Sequence, residues 1–458
     1  MTGNLSMHPP KAVGEAVAQL EAAGFQAWCV GGCVRDSLLG KTPTDWDIAT
    51  SARPEETASC FAGARLVEVG AAHGTIALMA GEGHPIEITT FRRDGAYTDG
   101  RHPDSVEFSR ELKEDLSRRD FTINAMAWHP NRGLVDLFHG QEDLRAKRLC
   151  CVGEPAARFS EDALRILRCL RFSSQLGFSI ESATAAALWE KRRLLGQLSR
   201  ERVREELSKL LVGSHAVSVL REYAEVMFTV LPELAPMKGC LQETPYHCYD
   251  VWEHTLHALE HGPRLVDLAW AVLLHDSGKP SKKIFSPDGL AHFYGHPLES
   301  GSIARKLLAR LRFSKKEQEW ISALVDHHEE PMPMSVKRAK ELLGQYGEEF
   351  VTRLFQLQEA DMSAKAAGVA ESRFPDLEQS RACAREILAR GDCLTLRELA
   401  LSGKDLQALG MAPGPEMGEL LHRLLEMVLE GRVENTLPAL RVSAQQLLKE
   451  AGINQQRR

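Results

Sequence analysis

The chain has ten cysteines among 458 residues but no C-x-x-C pair, and the adjacent Cys150 and Cys151 are poor partners for a disulfide. Reduced thiols in a cytoplasmic protein are the simple interpretation. The first ten residues lack a charged start followed by an apolar core, so we expect no signal peptide. There is also no apolar run of about 18 residues, so neither a transmembrane helix nor a membrane partner is predicted.

An excess of positive charge is missing as well, because the formal net charge is −7. The protein is therefore not a globally basic nucleic-acid binder, and an RNA partner would have to be met by local patches of Lys and Arg. The fractions of hydrophobic residues, 43%, and charged residues, 26%, are ordinary for a soluble globular protein. The length predicts two to four domains with a large core and leaves the oligomeric state open.

Helix and strand signals alternate over residues 10–145, and beyond about Ala146 apolar residues recur almost wholly at the helical spacing i, i+3 and i+4. This pattern predicts a mixed head followed by a long helical remainder. Within the head we expect a helix at Val13–Ala23 and strands at Ala27–Val30, Asp45–Ala49, Thr75–Met79 and Ile86–Phe91.

Asp45 and Asp47 follow the pair Gly31-Gly32 and are the most informative feature of the chain. In a strand, residues two apart point to the same face, so the two carboxylates would lie side by side. They would repel each other unless a cation such as Mg²⁺, which binds carboxylate and phosphate oxygens, lay between them. The glycines allow a phosphate chain to approach the backbone, and a helix at Cys33–Leu39 would point its N-terminus at that chain. A phosphoryl or nucleotidyl transfer site with two metal ions follows as a hypothesis.

A lone D-x-D or a lone G-G is common, but their combination with an apolar strand and a short helix carrying Arg35 is more specific. It resembles the signature of the DNA polymerase beta-like nucleotidyltransferases. With the segments described below, the chain from about Gln26 to Asn435 resembles the bacterial class II tRNA nucleotidyltransferase and poly(A) polymerase family, most closely its CCA-adding members. The resemblance implies that Glu87, which is otherwise an exposed residue on a strand face, completes the Mg²⁺ site. It also implies that Gly31, Gly32 and Arg35 bind the nucleotide.

Two segments after the carboxylates are expected to contact the nucleotide or the growing end. Arg92–Val106 is rich in Gly, Pro and Asp, as loops are, and the resemblance implies a loop found in enzymes that add the terminal A. In R-R-D-F-T-I-N-A, Arg118 and Arg119 offer planar donors to triphosphate oxygens, although an ordinary capped helix start would also fit. Asp120 and Asn124 could bond a ribose hydroxyl, and the resemblance implies that Arg119, Asp120 and Asn124 lie near the sugar.

Asp162 and Arg165 lie three residues apart in a helix predicted over residues 160–171, so they share a face. A carboxylate can accept from an exocyclic amino group while a guanidinium donates to a ring nitrogen, a pattern that C and A offer and that U and G reverse. Each wrong base would leave buried polar groups unpaired, at roughly 1–3 kcal/mol apiece. A surface ion pair is the alternative, and resemblance to the family's E-D-x-x-R motif favours base selection.

Arg168 and Arg171 continue the basic stripe of this helix and are expected to orient the nucleotide. Two flanking segments have structural roles by resemblance. Asp136–Leu144 resembles the hinge between head and neck, and Arg200–Leu211 resembles the family's last head–neck motif, to which we assign a scaffold role.

The second half of the chain contains a group of histidines and aspartates that resembles the HD phosphohydrolase superfamily. A single His here would be structural, but this number, with an adjacent His-Asp pair, indicates metal binding. The resemblance implies that the core metal ligands are His254, His275, Asp276 and Asp361. It also implies that His296 and His327 would suit a second metal. This donor set fits Mn, Fe, Ni, Co or Zn better than Mg alone. Phosphatase or 2′,3′-cyclic phosphodiesterase activity is the implied chemistry.

Near the C-terminus, Leu401–Leu425 places a Gly-Pro turn before a periodic helix, whose N-terminus could hold an RNA phosphate. A packing corner is the alternative, and the resemblance implies a tRNA-binding tail. The expected fold is α+β: a nucleotidyltransferase head (1–145), a helical neck (146–212), an HD body (213–370) and a helical tail (371–458).

The expected reaction is addition of C and A nucleotides from CTP and ATP to the 3′ end of tRNA. Two alternatives stay open. One is an A-adding enzyme or poly(A) polymerase, and the other is a metal-dependent phosphohydrolase whose head only docks RNA.

Overall fold

The computed structural model describes residues 7–70, 74–79, 85–95, 106–366 and 368–450. Contacts between residues divide the chain into two compact units, Met1–Pro232 and Glu233–Arg458. The first unit begins with a sheet flanked by helices and continues as helices, and the second is mainly helical. The predicted α+β class with a long helical remainder is therefore confirmed.

The head contains the strands β1 (Ala27–Val30), β2 (Asp47–Thr50), β3 (Leu66–Gly70), β4 (Thr75–Leu78), β5 (Ile86–Thr90), β6 (Arg92–Asp94), β7 (Val106–Phe108), β8 (Met126–His129) and β9 (Gly133–Asp136). Seven of them form one sheet in the order β3-β4-β5-β2-β1-β8-β9. Strands β2 and β5 run parallel, and the other neighbours in this sheet are antiparallel. The remaining two, β6 and β7, pair antiparallel, and residues 96–105 of the predicted loop Arg92–Val106 lie outside the described residues.

Helices cover the head sheet: α1 (Lys11–Ala22), α2 (Gly32–Leu38), α3 (Pro54–Cys60), α4 (Leu112–Ser117) and α5 (Gly140–Arg145), with a 3₁₀ turn at Thr122–Asn124. The core of the head is a cluster formed by Trp28, Val30, Ala49, Phe91, Leu116 and Ala127. In this cluster, apolar residues of the central strands pack against Phe91, which follows β5, and Leu116, which lies on α4. This core fixes the ends of β1, β2 and β5, where the polar residues of the first unit collect.

The predicted strand Asp45–Ala49 begins two residues too early. The register pairs Val30 with Asp47, and β1 ends there because Gly31 turns away with φ +79°. Asp45 therefore has no neighbour in β1, and its exposed carboxylate instead accepts a hydrogen bond from the Thr44 hydroxyl at 3.3 Å. The other predicted head elements agree with the structure to within two residues at each end.

The rest of the first unit comprises a short parallel pair and six helices: β10 (Arg148–Leu149) with β11 (Ser179–Ile180), α6 (Pro155–Glu161), α7 (Leu164–Leu176), α8 (Ser182–Lys191), α9 (Arg200–Leu211), α10 (Ala216–Glu222) and α11 (Ala224–Val230), with a 3₁₀ turn at Arg192–Gln197. The predicted continuous helix over 160–171 is wrong. Asp162 is extended, at φ −137° and ψ 105°, between α6 and α7. Its Oδ1 accepts the Leu164 N–H at 2.9 Å, a local bond that competes with helical hydrogen bonding and starts a new helix.

The second unit contains the helices α12 (Val251–His261), α13 (Val266–Leu274), α14 (Lys279–Lys282), α15 (His296–Arg310), α16 (Lys315–Asp326), α17 (Val336–Tyr346), α18 (Glu348–Ser363), α19 (Val369–Arg390), α20 (Gly403–Ala408), α21 (Pro415–Leu429) and α22 (Leu437–Glu450), after a 3₁₀ turn at Pro232–Met237. A short antiparallel pair, β12 (Ile284–Phe285) with β13 (Ala291–His292), was not predicted. Helices α20 to α22 share an apolar core around Leu406, Leu424 and Leu440, and the predicted helix after the Gly-Pro turn is confirmed as α21.

Candidate functional site

A cleft of about 1050 Å³ in the first unit is lined by both carboxylates and arginines. Asp47 begins β2, and its register partner across the parallel pair is Glu87 on β5. Asp45 lies just before β2 and lines the same cleft. Burial raises the pKa of Asp47 to about 6, and the negative charges of Glu87 and Asp45 add to that effect. Arg119 only partly offsets the negative charge around Asp47, as expected where a cation binds.

The turn between β1 and α2 brings backbone close to these carboxylates. Gly31 has a positive φ of +79°, which disfavours any residue with a side chain. A Cβ at this position would lie 2.9 Å from Arg119 Nη1 and 3.9 Å from Asp47 Oδ2. A glycine is thus required at position 31 for two reasons. The turn needs a positive φ, and a Cβ would lie too close to Arg119. Gly32, the first residue of α2, lines the cleft beside it.

Arg118 and Arg119 are held by a residue that the sequence reasoning missed. Asp115, fully buried on α4, lies 2.6 Å from an Arg118 nitrogen and 3.0 Å from an Arg119 nitrogen. Burial alone would raise the pKa of this carboxyl, but the two guanidinium groups lower it below its usual range. The spacings i+3 and i+4 in a helical segment were a usable signal for these pairs.

A chain of hydrogen bonds connects α2 to the neck. Arg35 Nη1 donates to Asn124 Oδ1 at 2.7 Å, and Asn124 Nδ2 donates to Asp120 Oδ1 at 3.3 Å. The other oxygen of Asp120 lies 2.6 Å from Arg168 Nη2 on α7. Residues predicted separately from three motifs are thus brought into one network, all lining the cleft.

Asp162 and Arg165 both line the cleft, but they are not the predicted (i, i+3) pair on one helix face. Arg165 Nη1 lies 2.7 Å from Glu161 Oε2, and its Nη2 donates to the Arg118 carbonyl at 3.0 Å. Asp162 pairs instead with Arg202 on α9, at 3.1 Å. The helix break at Asp162 separates the two side chains, so each has its own partner.

Arg171 completes the basic wall, with its Nε 2.5 Å from Glu206 Oε2 on α9. Two side chains of the motif Arg200–Leu211, which was predicted to be a scaffold, thus hold residues of the cleft. Arg202 pairs with Asp162, and Glu206 pairs with Arg171. The signal for both was present, because they lie four residues apart on one face of the predicted helix.

The second unit brings four of the predicted ligands together. One atom from each of His254, His275, Asp276 and Asp361 lies within 4.8 Å of the other three, and all four residues are buried. His254 Nε2 is 2.8 Å from Asp361 Oδ1, and His275 Nε2 is 3.3 Å from Asp276 Oδ2. His275 Nε2 and both oxygens of Asp276 are nevertheless buried without a well-directed hydrogen bond. Unsatisfied imidazole and carboxylate atoms that converge on one point fit a metal ion.

A second group of possible ligands shares Asp276 with the first, and it corrects one assignment. The group consists of Asp276, His296 and His328, whereas His327 was expected. His296 Nε2 lies 3.2 Å from Asp276 Oδ1 and 3.3 Å from His328 Nε2. His327, the residue after α16, instead places Nδ1 2.8 Å from Glu330 Oε1. Neighbouring residues at a helix end point in different directions, so periodicity could not decide between the two histidines.

Two ammonium groups lie beside the metal-ligand carboxylates. Lys279 Nζ is 2.7 Å from Asp276 Oδ2, and Lys365 Nζ is 2.9 Å from Asp361 Oδ2. Burial lowers the pKa of His328 to about 3, which keeps its imidazole neutral as a metal ligand must be.

Among the described residues, no helix combines the length and hydropathy needed to cross a bilayer.

Three family models match this chain. "Poly A polymerase head domain" matches residues 27–150, and "Probable RNA and SrmB- binding site of polymerase A" matches residues 177–238. A model of tRNA nucleotidyltransferase domain 2 matches residues 298–444.

Curated relatives and solved structures agree with these matches. The CCA-adding enzyme of Lactiplantibacillus plantarum is 36% identical over 426 residues, covering 93% of each chain. That of Lactobacillus delbrueckii is 34% identical over 423 residues, covering 92% of this chain and 94% of the relative. The crystal structure of the Bacillus stearothermophilus CCA-adding enzyme in complex with CTP has a TM-score of 0.72 and 29% identity, covering 98% of this chain and all of that one. Similarity of this extent shows that the chain belongs to the CCA-adding enzyme family.

Proposed function

We propose that this protein adds C and A nucleotides from CTP and ATP to the 3′ end of tRNA, without a nucleic-acid template. The observation that carries the proposal is the cleft of the first unit. There Asp47 and Glu87, paired across parallel strands, face a wall of arginines from the head and the neck. Relatives named CCA-adding enzymes and the similar structure solved with CTP support the same function.

The carboxylates Asp45, Asp47 and Glu87 are the proposed Mg²⁺ ligands. The pKa of Asp47, raised to about 6 by burial and by its acidic neighbours, fits a group whose counter-charge is a bound cation. When bound, Mg²⁺ would lower the pKa of the RNA 3′-hydroxyl and neutralise charge on the pyrophosphate leaving group.

The remaining cleft residues bind and orient the nucleotide in this proposal. Gly31 and Gly32 leave room for the phosphates, and Arg118 and Arg119, held by Asp115, donate to phosphate oxygens. Asn124 and Asp120 then present oxygen and nitrogen atoms to the ribose, and Arg35 and Arg168, which bond to them, add positive charge for the triphosphate. Arg171, held by Glu206, adds positive charge.

Base selection is assigned to Asp162 and Arg165, with each held by a partner of its own. Arg165 is 8% exposed and is fixed by Glu161 and the Arg118 carbonyl, and Arg202 orients Asp162. Fixed groups cannot turn to suit a base with the opposite polarity of donors and acceptors. UTP or GTP would therefore leave polar groups unpaired, at a cost of about 1–3 kcal/mol each.

We further infer a second activity in the second unit, hydrolysis of phosphate esters. It rests on the buried atoms of His254, His275, Asp276 and Asp361 that converge within 4.8 Å. A bound Mn, Fe, Ni, Co or Zn ion would supply hydroxide near neutral pH. Two adjacent ammonium groups, on Lys279 and Lys365, could hold the anionic substrate. A 2′,3′-cyclic phosphate or a phosphate at the end of a damaged tRNA is the proposed substrate.

The proposed domains remain the head (1–145), neck (146–212), HD body (213–370) and tail (371–458). The boundary between the two compact units at Pro232 supports a division near the end of the neck. In the tail, the segment Met411–Gly418 that precedes and begins α21 is the proposed contact for an RNA phosphate. The free cysteines support a reducing, cytoplasmic location.

The test is an extension assay on tRNA ending before CCA and on tRNA ending in CC, with single labelled nucleotides and Mg²⁺. The proposal predicts addition of C to the first substrate, addition of A to the second, and stops after three nucleotides when both are supplied. Addition of A alone to the CC end would indicate an A-adding enzyme, and long A tails would indicate a poly(A) polymerase. Hydrolysis without any extension would leave only the phosphohydrolase with an RNA-docking head.

A further inference from the structure

Phe172 is a buried aromatic residue in the wall of the cleft that neither the motifs nor the proposed chemistry uses. It lies on α7 directly after Arg171, with 5% of its surface exposed. The ring of Phe121 meets it edge-on, with centroids 5.8 Å apart and an interplanar angle of 84°. Phe121 is fully buried, so the position of the Phe172 ring is fixed by packing.

Three guanidinium groups surround this ring. The Cζ atom of Arg171 lies 4.0 Å from the ring centroid, that of Arg35 lies 5.2 Å away, and that of Arg168 lies 5.4 Å away. All three distances are within the range of about 6 Å at which the negative face of an aromatic ring attracts a cation. Two of these arginines belong to the neck helix and one to α2 of the head.

The same three arginines use their N–H groups elsewhere. Arg35 donates to Asn124, Arg168 pairs with Asp120, and Arg171 pairs with Glu206. Hydrogen bonds engage the edge of a guanidinium, whereas the ring contacts restrict its position from another side. The contacts close a loop from Phe172 through Arg35, Asn124, Asp120 and Arg168 back to Phe172. Without the ring, each guanidinium would keep its polar partner, but nothing on this side would offset the repulsion among the three like charges.

We infer that Phe172 is a positioning residue that holds Arg35, Arg168 and Arg171 together as one pre-organised site for the nucleotide triphosphate. The inference rests on the proposed nucleotidyl transfer in this cleft. An aromatic face attracts the guanidinium groups without adding a further negative charge to those of Asp120 and Glu206, with which Arg168 and Arg171 already pair. A carboxylate in the same place would pair with the arginines and compete with the nucleotide.

The first test replaces the ring and keeps its bulk. In Phe172→Leu, we expect the KM for both CTP and ATP to rise roughly tenfold, with a smaller change in kcat, because loosened arginines bind the triphosphate less well. Phe172→Tyr keeps the aromatic face and should restore the KM to within about twofold of wild type. Phe178→Leu is the matched control, since Phe178 is buried in the same neck at 4% exposure. An unchanged KM in Phe172→Leu overturns the inference.

The second test does not depend on how the leucine variant folds. Phenylalanine analogues carrying one, two or more ring fluorines at position 172 have nearly the same size but a progressively less negative face. Direct CTP binding, measured without tRNA by calorimetry, should weaken stepwise with fluorination, and melting temperatures should stay level. A flat binding series overturns the inference. A wild-type protein that binds neither CTP nor ATP would refute the proposed function itself, which is a distinguishable result.

Discussion

Arg168 Nη2 lies 2.6 Å from Asp120 Oδ2, and this ion pair joins the neck helix to the head. Asp120 is 8% exposed, and its other oxygen accepts hydrogen bonds from the Phe121 N–H and from Asn124. Burial alone would raise the pKa of Asp120, but Arg168 and these bonds lower it to about 2. The pair therefore keeps its charge at any pH where the enzyme would work, and it sets the position of both residues in the cleft.

Replacing Asp120 by Asn should cost about 3 kcal/mol of unfolding free energy at pH 7, because Arg168 would keep its charge without a partner. The folded-state pKa lies below the unfolded value near 3.8, so this contribution is complete above about pH 4 and is lost as the pH falls toward 2. Calorimetric melting of both proteins over that pH range is the measurement. Asp405→Asn is the control, because that carboxyl also has a pKa of about 2 but lies in an exposed pair with Arg441. A wild-type advantage that stays constant down to pH 2 would contradict the assignment.

Asp47→Asn should abolish nucleotide addition and yet raise the melting temperature of the metal-free protein. The pKa of Asp47 is raised to about 6, so its charged form is disfavoured in the folded state. The stabilisation by Asn should therefore be absent below about pH 4, grow between pH 4 and 6, and reach at most about 3 kcal/mol above that. Saturating Mg²⁺ should reverse the order by stabilising wild type alone. A variant that is less stable than metal-free wild type at pH 8 would argue against an uncompensated cation site.

Arg165→Lys should relax base choice. The control is Arg193→Ala, at an exposed position of the neck, which should leave base choice unchanged. Lysine cannot reproduce the three contacts of Arg165, which reach Glu161, the Arg158 carbonyl and the Arg118 carbonyl. We expect incorporation of UTP relative to CTP to increase about 10-fold or more, in line with the loss of one buried hydrogen-bonding interaction. Glu161→Gln should have a smaller effect of the same sign. Competition assays with mixed nucleotides measure the ratio, and unchanged ratios in both variants would remove base selection from this residue.

His328→Ala and His327→Ala are neighbours with opposite expectations. His328 converges with His296 and Asp276, so its loss should remove the ion of this group, while the group with His254 and His275 keeps its own, and should lower phosphodiesterase activity by at least about tenfold. His327 is bound to Glu330, so its loss should leave metal content near wild type. Elemental analysis of the purified proteins, together with hydrolysis of a 2′,3′-cyclic nucleotide, distinguishes them. The reverse ranking would restore the assignment made from the sequence.

The sequence sufficed for features that depend on local chemistry. Local strand signals placed β1, β4 and β5, and Gly31 adopts a positive φ in the G-G pair that was expected to let phosphate approach the backbone. Residues from separate motifs, such as Arg35 and Asn124, were correctly grouped because the family resemblance connects them.

The errors arose where a side chain competes with the backbone or where the direction of a side chain decides. Asp162 bonds the Leu164 N–H and breaks a helix whose periodicity was unbroken in the sequence. Strand β2 starts late because its partner ends at Val30, a tertiary limit that no local pattern carries. Asp115 pairs with Arg119 about one helical turn along the chain, and Glu206 pairs with Arg171 on another helix. Phe172 resembles any other core aromatic residue until the three arginines around it are seen.

The proposed function depends on the head carboxylates being needed for nucleotide addition and not for hydrolysis in the second unit. It is tested most directly by measuring both activities in single preparations of wild type, Asp45→Ala and Asp47→Ala: extension of tRNA lacking CCA with CTP, ATP and Mg²⁺, and hydrolysis of a 2′,3′-cyclic nucleotide. We predict that either substitution abolishes extension and leaves both hydrolysis and the fold intact. Extension at wild-type rates in both variants would contradict the account.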